Sequence, residues 1–288
     1  MLPFITIFGK VIPTYGLLIA IGLLVANTIL YITIIKKNML FEDFILLEAY
    51  LYLFGFLGAK ILYIIISLYQ QGFSVLTNAP SLLALMQGGF VFYGGIFGGV
   101  FGAYLVKKIH KIDVLLYLQK SLFVLPLVHS FGRIGCFCAG CCYGVEYRGL
   151  CSVVFPEGAI APPHVPLFPV QIVEAVFLLI ISAVLFIFIL KKKEIYSIPL
   201  YLICYCVVRF LLEYTRGDIV RGHFLFFSTS QWVSLMGIIL GIILLINNPD
   251  ARSVDVKRQV KPSARIKNIR NPVNRQVHIT DKKQNAIV

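Results

Sequence analysis

Long apolar runs alternate with short polar connections along this chain, and each run is long enough to cross a membrane. They fall at about 14–35, 43–69, 89–106, 113–131, 170–190, 198–215 and 231–247. A helix needs roughly 20 apolar residues to span the hydrocarbon core of a bilayer. In lipid, only helices and closed barrels satisfy their own backbone groups. The pattern predicts an all-α integral membrane protein of about seven transmembrane helices, with an outward-facing loop region after the fourth. The first run is too long for a cleaved leader and lacks its small-residue cleavage site, so it is expected to remain as a span.

Basic residues set the orientation. Lys36 and Lys37 follow the first run, Lys107, Lys108 and Lys111 the third, and Lys191, Lys192 and Lys193 the fifth. The connection 69–88 has no Lys or Arg. The N-terminus is therefore expected outside, the C-terminus in the cytoplasm, and the segment 132–169 outside. Composition removes the soluble alternative. Only 14% of residues are charged, 59% are hydrophobic and the mean hydropathy is +0.87, against about a quarter charged in soluble domains. The net charge of +13 comes mostly from residues 249–288. That segment is too polar to order itself. It is expected to be a disordered cytoplasmic tail beside the membrane domain 1–248. A basic tail suits anionic lipid headgroups. Without interleaved aromatics it does not read as a nucleic-acid binder.

An ionisable side chain inside a span costs several kcal/mol and marks a functional candidate. Such residues are Glu48 and Lys60 in the second run and Lys120, His129 and Arg133 in and just beyond the fourth. Gln171 and Glu174 open the fifth in "PVQIVEA", and Arg209 and Glu213 lie in the sixth in "VVRFLLEYTRGD". Arg209 and Glu213 share a helix face, as do His129 and Arg133. Arg209 and Glu213 read either as an internal ion pair or as part of a phosphate clamp, whose guanidinium fork matches phosphate oxygens. The third run, "GGFVFYGGIFGGVFGAYL", repeats glycine every fourth residue through Gly94, Gly98 and Gly102, and again at Gly95 and Gly99. That is the small-residue spacing of close helix packing. Gly94 and Gly95 beside Tyr93 also leave room for backbone to approach a ligand.

Several stretches together resemble one family, the bacterial prolipoprotein diacylglyceryl transferases. They are "YGLLIAIG" from Tyr15, "GAKILYI" around Lys60, "GGFVFYGGIFGG", "GRIGCFCAGCCYG" from Gly132 to Gly144, "VVFP", "PVQIVEA", "RFLLEYTRGD" and "SQWVSL". The resemblance implies transfer of the diacylglyceryl group of phosphatidylglycerol to the thiol of a lipobox cysteine in a prolipoprotein signal peptide. It implies a multi-pass protein of the bacterial inner membrane, with membrane lipid as its surroundings and no cofactor. It implies that Arg133 and Arg209 act on the departing glycerol phosphate, that Glu213 belongs to the catalytic set, and that Tyr15, Lys60, Gly94, Gly95, Gly132, Gly144, Gln171 and Glu174 bind substrate. Tyr93 stands where the family has histidine, Cys136 where it has asparagine and Cys141 where it has glutamate. A phenol is a poor base at neutral pH, so His129 is the candidate base. Its plainer reading is a packed or capping histidine. These exchanges keep two other readings open: a transferase of this fold with another acceptor or a thiol-based chemistry, and a non-catalytic lipid-binding protein.

Cys136, Cys138, Cys141 and Cys142 crowd one short stretch. They read as disulfide-forming or structural thiols on an oxidising face, as a catalytic thiol that carries the transferred group, or as metal ligands. No metal is assigned, because the spacing does not match the usual paired knuckles. Cys204 and Cys206 read as small buried apolar residues.

Overall fold

The computed structural model describes residues 3–247 apart from 8, 37–39, 73–75, 77, 88 and 219–222. The basic tail, Lys37 and Gly88 lie outside the described residues. Nine α-helices are described: α1 (Thr14–Lys36), α2 (Phe41–Gln71), α3 (Ala79–Gln87), α4 (Phe92–His110), α5 (Val114–Ser121), α6 (Val124–Ala139), α7 (Val170–Leu190), α8 (Ser197–Leu212) and α9 (Thr229–Ile246). Three antiparallel two-stranded ribbons accompany them. They are β1 (Phe4–Ile7) with β2 (Lys10–Pro13), β3 (Val153–Val154) with β4 (Pro166–Leu167), and β5 (His223–Phe224) with β6 (Phe227–Ser228).

Five of these helices are each long and apolar enough to cross a membrane: α1, α2, α7, α9 and α8 with its flanking 3-10 turns. α5 and α6 meet at a 50° bend and together make a sixth candidate. The protein is therefore a mostly helical, multi-pass membrane protein. The run expected at 89–106 is not among these candidates: α4 begins only at Phe92, and its last turn carries Lys107, Lys108 and His110. The two lysines favour the negative end of the helix dipole. The run expected at 113–131 is also corrected. It is two helices, and the second continues to Ala139, so Gly132 to Ala139 are helical rather than part of the outer loop.

Helix ends follow local rules. Asp113 caps α5 by accepting from the Leu116 N–H at 3.3 Å, and Gly140 ends α6 in the left-handed region at φ 71°. A side chain would be strained there. Ser228 and Gln231 form a reciprocal capping box on α9. α2 packs along α4, while α1 and α7 flank α6, and α8 lies between α7 and α9. The α2–α4 approach is backbone to backbone. A Cβ on Gly98 would strike the Phe54 carbonyl, and Gly58 and Gly94 exclude each other's. Leu30, Phe44, Leu47, Val106, Phe123, Leu185 and Ile189 form one buried apolar cluster. Phe97 on α4, at 74% exposure, points outward as lipid-facing residues do.

Candidate active site

Buried charge in this protein is arranged as a row. Arg133 on α6 reaches Glu174 on α7, with Nη2 3.0 Å from Oε1. Glu174, 1% exposed, also interacts electrostatically with Arg209 on α8. Arg209 Nη2 lies 2.6 Å from Glu213 Oε2. The Ser228 hydroxyl, at the cap of α9, donates to Glu213 Oε1 at 2.8 Å. Positive and negative groups thus alternate from α6 through α7 to the end of α8, with the neutral Ser228 closing the row, which offsets the cost of burying each one. The arginines are not saturated. Among the described residues, Nε of Arg133 and Nη1 of Arg209 are buried without a hydrogen-bond partner, as is Oε1 of Gln171. Buried donors of this kind are costly unless something accepts from them, and an anionic oxygen does so best. His129 interacts with both arginines, and its ring meets Tyr205 edge-on at 5.6 Å.

The thiols lie one turn further along. α1 crosses α6 at Gly135, where a Cβ would stand 3.0 Å from the Tyr15 ring. The small residue thereby brings Tyr15 beside the cluster. After Gly140 the chain folds back. The Cys141 N–H donates to the Cys136 carbonyl at 3.1 Å, and Cys142 adopts φ 57°. The Gln171 amide donates to the Cys141 carbonyl at 2.8 Å. The sulfurs of Cys136, Cys141 and Cys142 consequently lie within 4.8 Å of one another. All seven cysteines are free thiols. Hydrogen bonds from Cys136 and Cys141, and then the Arg216 guanidinium, hold the Cys142 thiol below the usual thiol range. Arg216 is itself gripped by Asp218 through two hydrogen bonds of 2.9 and 2.8 Å.

Backbone contacts tie this loop to the end of α8. Val145 N–H donates to the Thr215 carbonyl and Gly217 N–H to the Tyr143 carbonyl, both at 3.0 Å. A Cβ on Gly144 would strike the Phe168 carbonyl, and one on Gly217 would strike the Gly144 carbonyl. Gly144 is thus required by packing.

The structure brings Tyr15, His129, Arg133, Cys136, Cys141, Cys142, Gln171, Glu174, Arg209 and Glu213 into one region. Lys60, Tyr93, Gly94 and Gly95 belong instead to the α2–α4 pair. Lys60 donates to the Leu85 carbonyl at 3.0 Å and lies over the Tyr63 and Phe90 rings. Gly94 is accounted for by the backbone of α2. Gly132 has open space, with Ile19 4.0 Å from a built Cβ. Cys138 is not part of the three-thiol group, and Cys151 is exposed. Residue-by-residue reading missed Arg216, Asp218, Tyr205 and Ser228. A charged "TRGD" directly after an apolar run was a usable signal for the first two.

The family model for prolipoprotein diacylglyceryl transferase matches residues 3–247. The chain belongs to the prolipoprotein diacylglyceryl transferase family. Relatives named phosphatidylglycerol–prolipoprotein diacylglyceryl transferase agree with that assignment. One from Clostridium tetani is 38% identical over 240 residues, covering 83% of this chain and 94% of the relative. One from Clostridium perfringens, numbered 2 in its name, is 37% identical over 244 residues, covering 84% and 92%. One from Clostridioides difficile is 31% identical over 243 residues, covering 83% and 91%. Within this family, the matched region contains the whole charged row and the three-thiol group.

Proposed function

We propose that this protein transfers the diacylglyceryl group of phosphatidylglycerol to the cysteine thiol of a prolipoprotein signal peptide, releasing glycerol phosphate. The observation that carries this reading is the buried pair of arginines with unspent N–H donors. Glycerol phosphate leaves as an anion, and donors held at the leaving oxygen stabilise the charge as it develops. Arg133 and Arg209 take that role. Glu174 and Glu213 hold the two guanidinium groups in place, and His129 stands close enough to interact with both. In the transfer the acceptor sulfur forms a bond to the glyceryl carbon. The bond from that carbon to the phosphate oxygen breaks, and its electron pair departs with the phosphate. Tyr15 and Gln171 wall the side on which the thiols stand.

Seven crossings are proposed, with α4 counted as a span and α5 with α6 as a bent one. The N-terminus is outside, the thiol loop faces outward and residues 249–288 form a separate basic cytoplasmic segment. The positive-inside distribution of lysines supports this arrangement. The location is the bacterial cytoplasmic membrane.

Complementation tests the reading. Cells depleted of their own transferase should regain diacylglyceryl-modified lipoprotein when they express this chain, and should not regain it with Arg133→Ala. Failure of a well-expressed, correctly inserted chain would remove the proposal.

A further inference from the structure

We propose that Cys136, Cys141 and Cys142 hold a zinc ion whose fourth position receives the acceptor thiol. The inference rests on the transfer reading above and supplies the step that reading leaves open, formation of the attacking thiolate.

The first argument is geometric. Zinc–sulfur bonds of about 2.3 Å at tetrahedral angles place sulfurs roughly 3.8 Å apart. The three sulfurs here lie within 4.8 Å of one another, so closing on an ion needs only small side-chain rotations. The second is preorganisation. The left-handed turn at Gly140 and the positive φ of Cys142 fold two thiols back onto the last turn of α6. Gln171 clamps the Cys141 carbonyl from α7. A non-glycine residue held at positive φ is a strain that the surroundings must enforce. The third is the outer shell. Three thiolates around a divalent cation leave one negative charge. Arg216 interacts electrostatically with Cys142, and Arg133 with Cys136, so cations stand against that charge on two sides. Such partners orient ligands and tune the ion.

The number of ligands decides what the site does. Among the described residues the group contains three ligands. Closed structural zinc sites take four, whereas three protein ligands leave a position for water or substrate. Cys141 and Cys142 are half-buried, so the group is not sealed. A thiol that coordinates zinc is deprotonated outright. The lipobox thiol therefore gives its proton to water as it displaces a zinc-bound water molecule. The bound thiolate then attacks the glyceryl carbon. The carbon–sulfur bond forms, the carbon–oxygen bond to phosphate breaks, and glycerol phosphate leaves toward the arginines. The thioether product has lost its anionic sulfur and binds zinc weakly, which frees the position.

The test uses the full chain purified in detergent with phosphatidylglycerol. Elemental analysis should find one zinc per chain. Cys136→Ser and Cys142→Ser should each lower that content at least tenfold, and Cys151→Ser should leave it unchanged. Cobalt exchanged into the unsubstituted chain tests the same point without a variant, through thiolate-to-cobalt charge-transfer absorption. A lipobox peptide should strengthen that absorption, and the same peptide with serine for cysteine should not. Absence of zinc, zinc unaffected by the two substitutions, or a cobalt spectrum indifferent to the thiol peptide would each overturn the proposal. So would undiminished transfer by zinc-stripped chain. A zinc-loaded chain that answers the peptide but releases no glycerol phosphate would support the metal site and sink the transfer reading.

Discussion

Glu174 has the most to hold of any residue in the site. It is buried between two arginines, so Glu174→Gln leaves Arg133 charged and unpaired in a dry environment. Breaking a buried pair this way costs about 3–5 kcal/mol. The expected result is a clear loss of thermal stability in detergent, with transfer abolished; an unchanged unfolding temperature would show that the pair is not buried in lipid. His129→Gln should lose less than about 100-fold in transfer rate, below the range of a true general base. A larger loss with the fold intact would restore His129 as the base. The Cys142 thiol, held low by Cys136, Cys141 and Arg216, keeps its thiolate as pH falls. In metal-stripped protein it should therefore be alkylated at lower pH than an ordinary free thiol, and Arg216→Gln should move that profile upward. At this scale the sequence was informative about charge and silent about partners. Arg209 and Glu213 were legible as a pair from i,i+4 spacing. The Arg133–Glu174 pair joins residues 41 positions apart, 174 less 133, on different helices, and only packing reveals it. The three thiols were legible as a crowd, but which three meet depends on the reversal at Gly140.

Among the elements, the α2–α4 pair makes the sharpest claim. Gly98→Ala would force a methyl into the Phe54 carbonyl, and Gly94→Ala into Gly58. Overpacking of this kind costs about 1–3 kcal/mol or more. Gly99→Ala, with open space around it, should be tolerated. Comparison of folded yield and thermal stability across the three variants checks this, and equal behaviour would refute the packing. Glycine periodicity made this helix contact legible in advance. It did not distinguish which glycines touch, because Gly95 and Gly99 repeat the same spacing on a neighbouring line. The boundary of α6 was less legible. Glycines read as a loop in water, yet in lipid a broken backbone has no solvent to turn to, and the helix runs on to its cap. Ser228→Ala removes both the cap of α9 and a hydrogen bond to Glu213, and should cost about 1–2 kcal/mol.

Over the whole molecule, the proposed orientation has a direct check. A membrane-impermeant maleimide added to intact cells should label exposed Cys151 from outside; labelling only after lysis would reverse the topology. The row of alternating charges also has a consequence for how the chain is made. α8 and the 3-10 turn that follows it carry both members of the Arg209–Glu213 pair, so this span enters the bilayer already neutralised. α6 brings Arg133 alone and α7 brings Glu174 alone, so neither is a good passenger until the other arrives. Each unpaired charge disfavours insertion by about 2.5–3.5 kcal/mol at mid-membrane. The two helices therefore leave the translocon as a hairpin, and synthesis of the earlier one is not finished, in an energetic sense, until the later one has emerged. A glycosylation-site reporter placed after Leu190 should show α7 inserting less efficiently when Arg133 is replaced by glutamate.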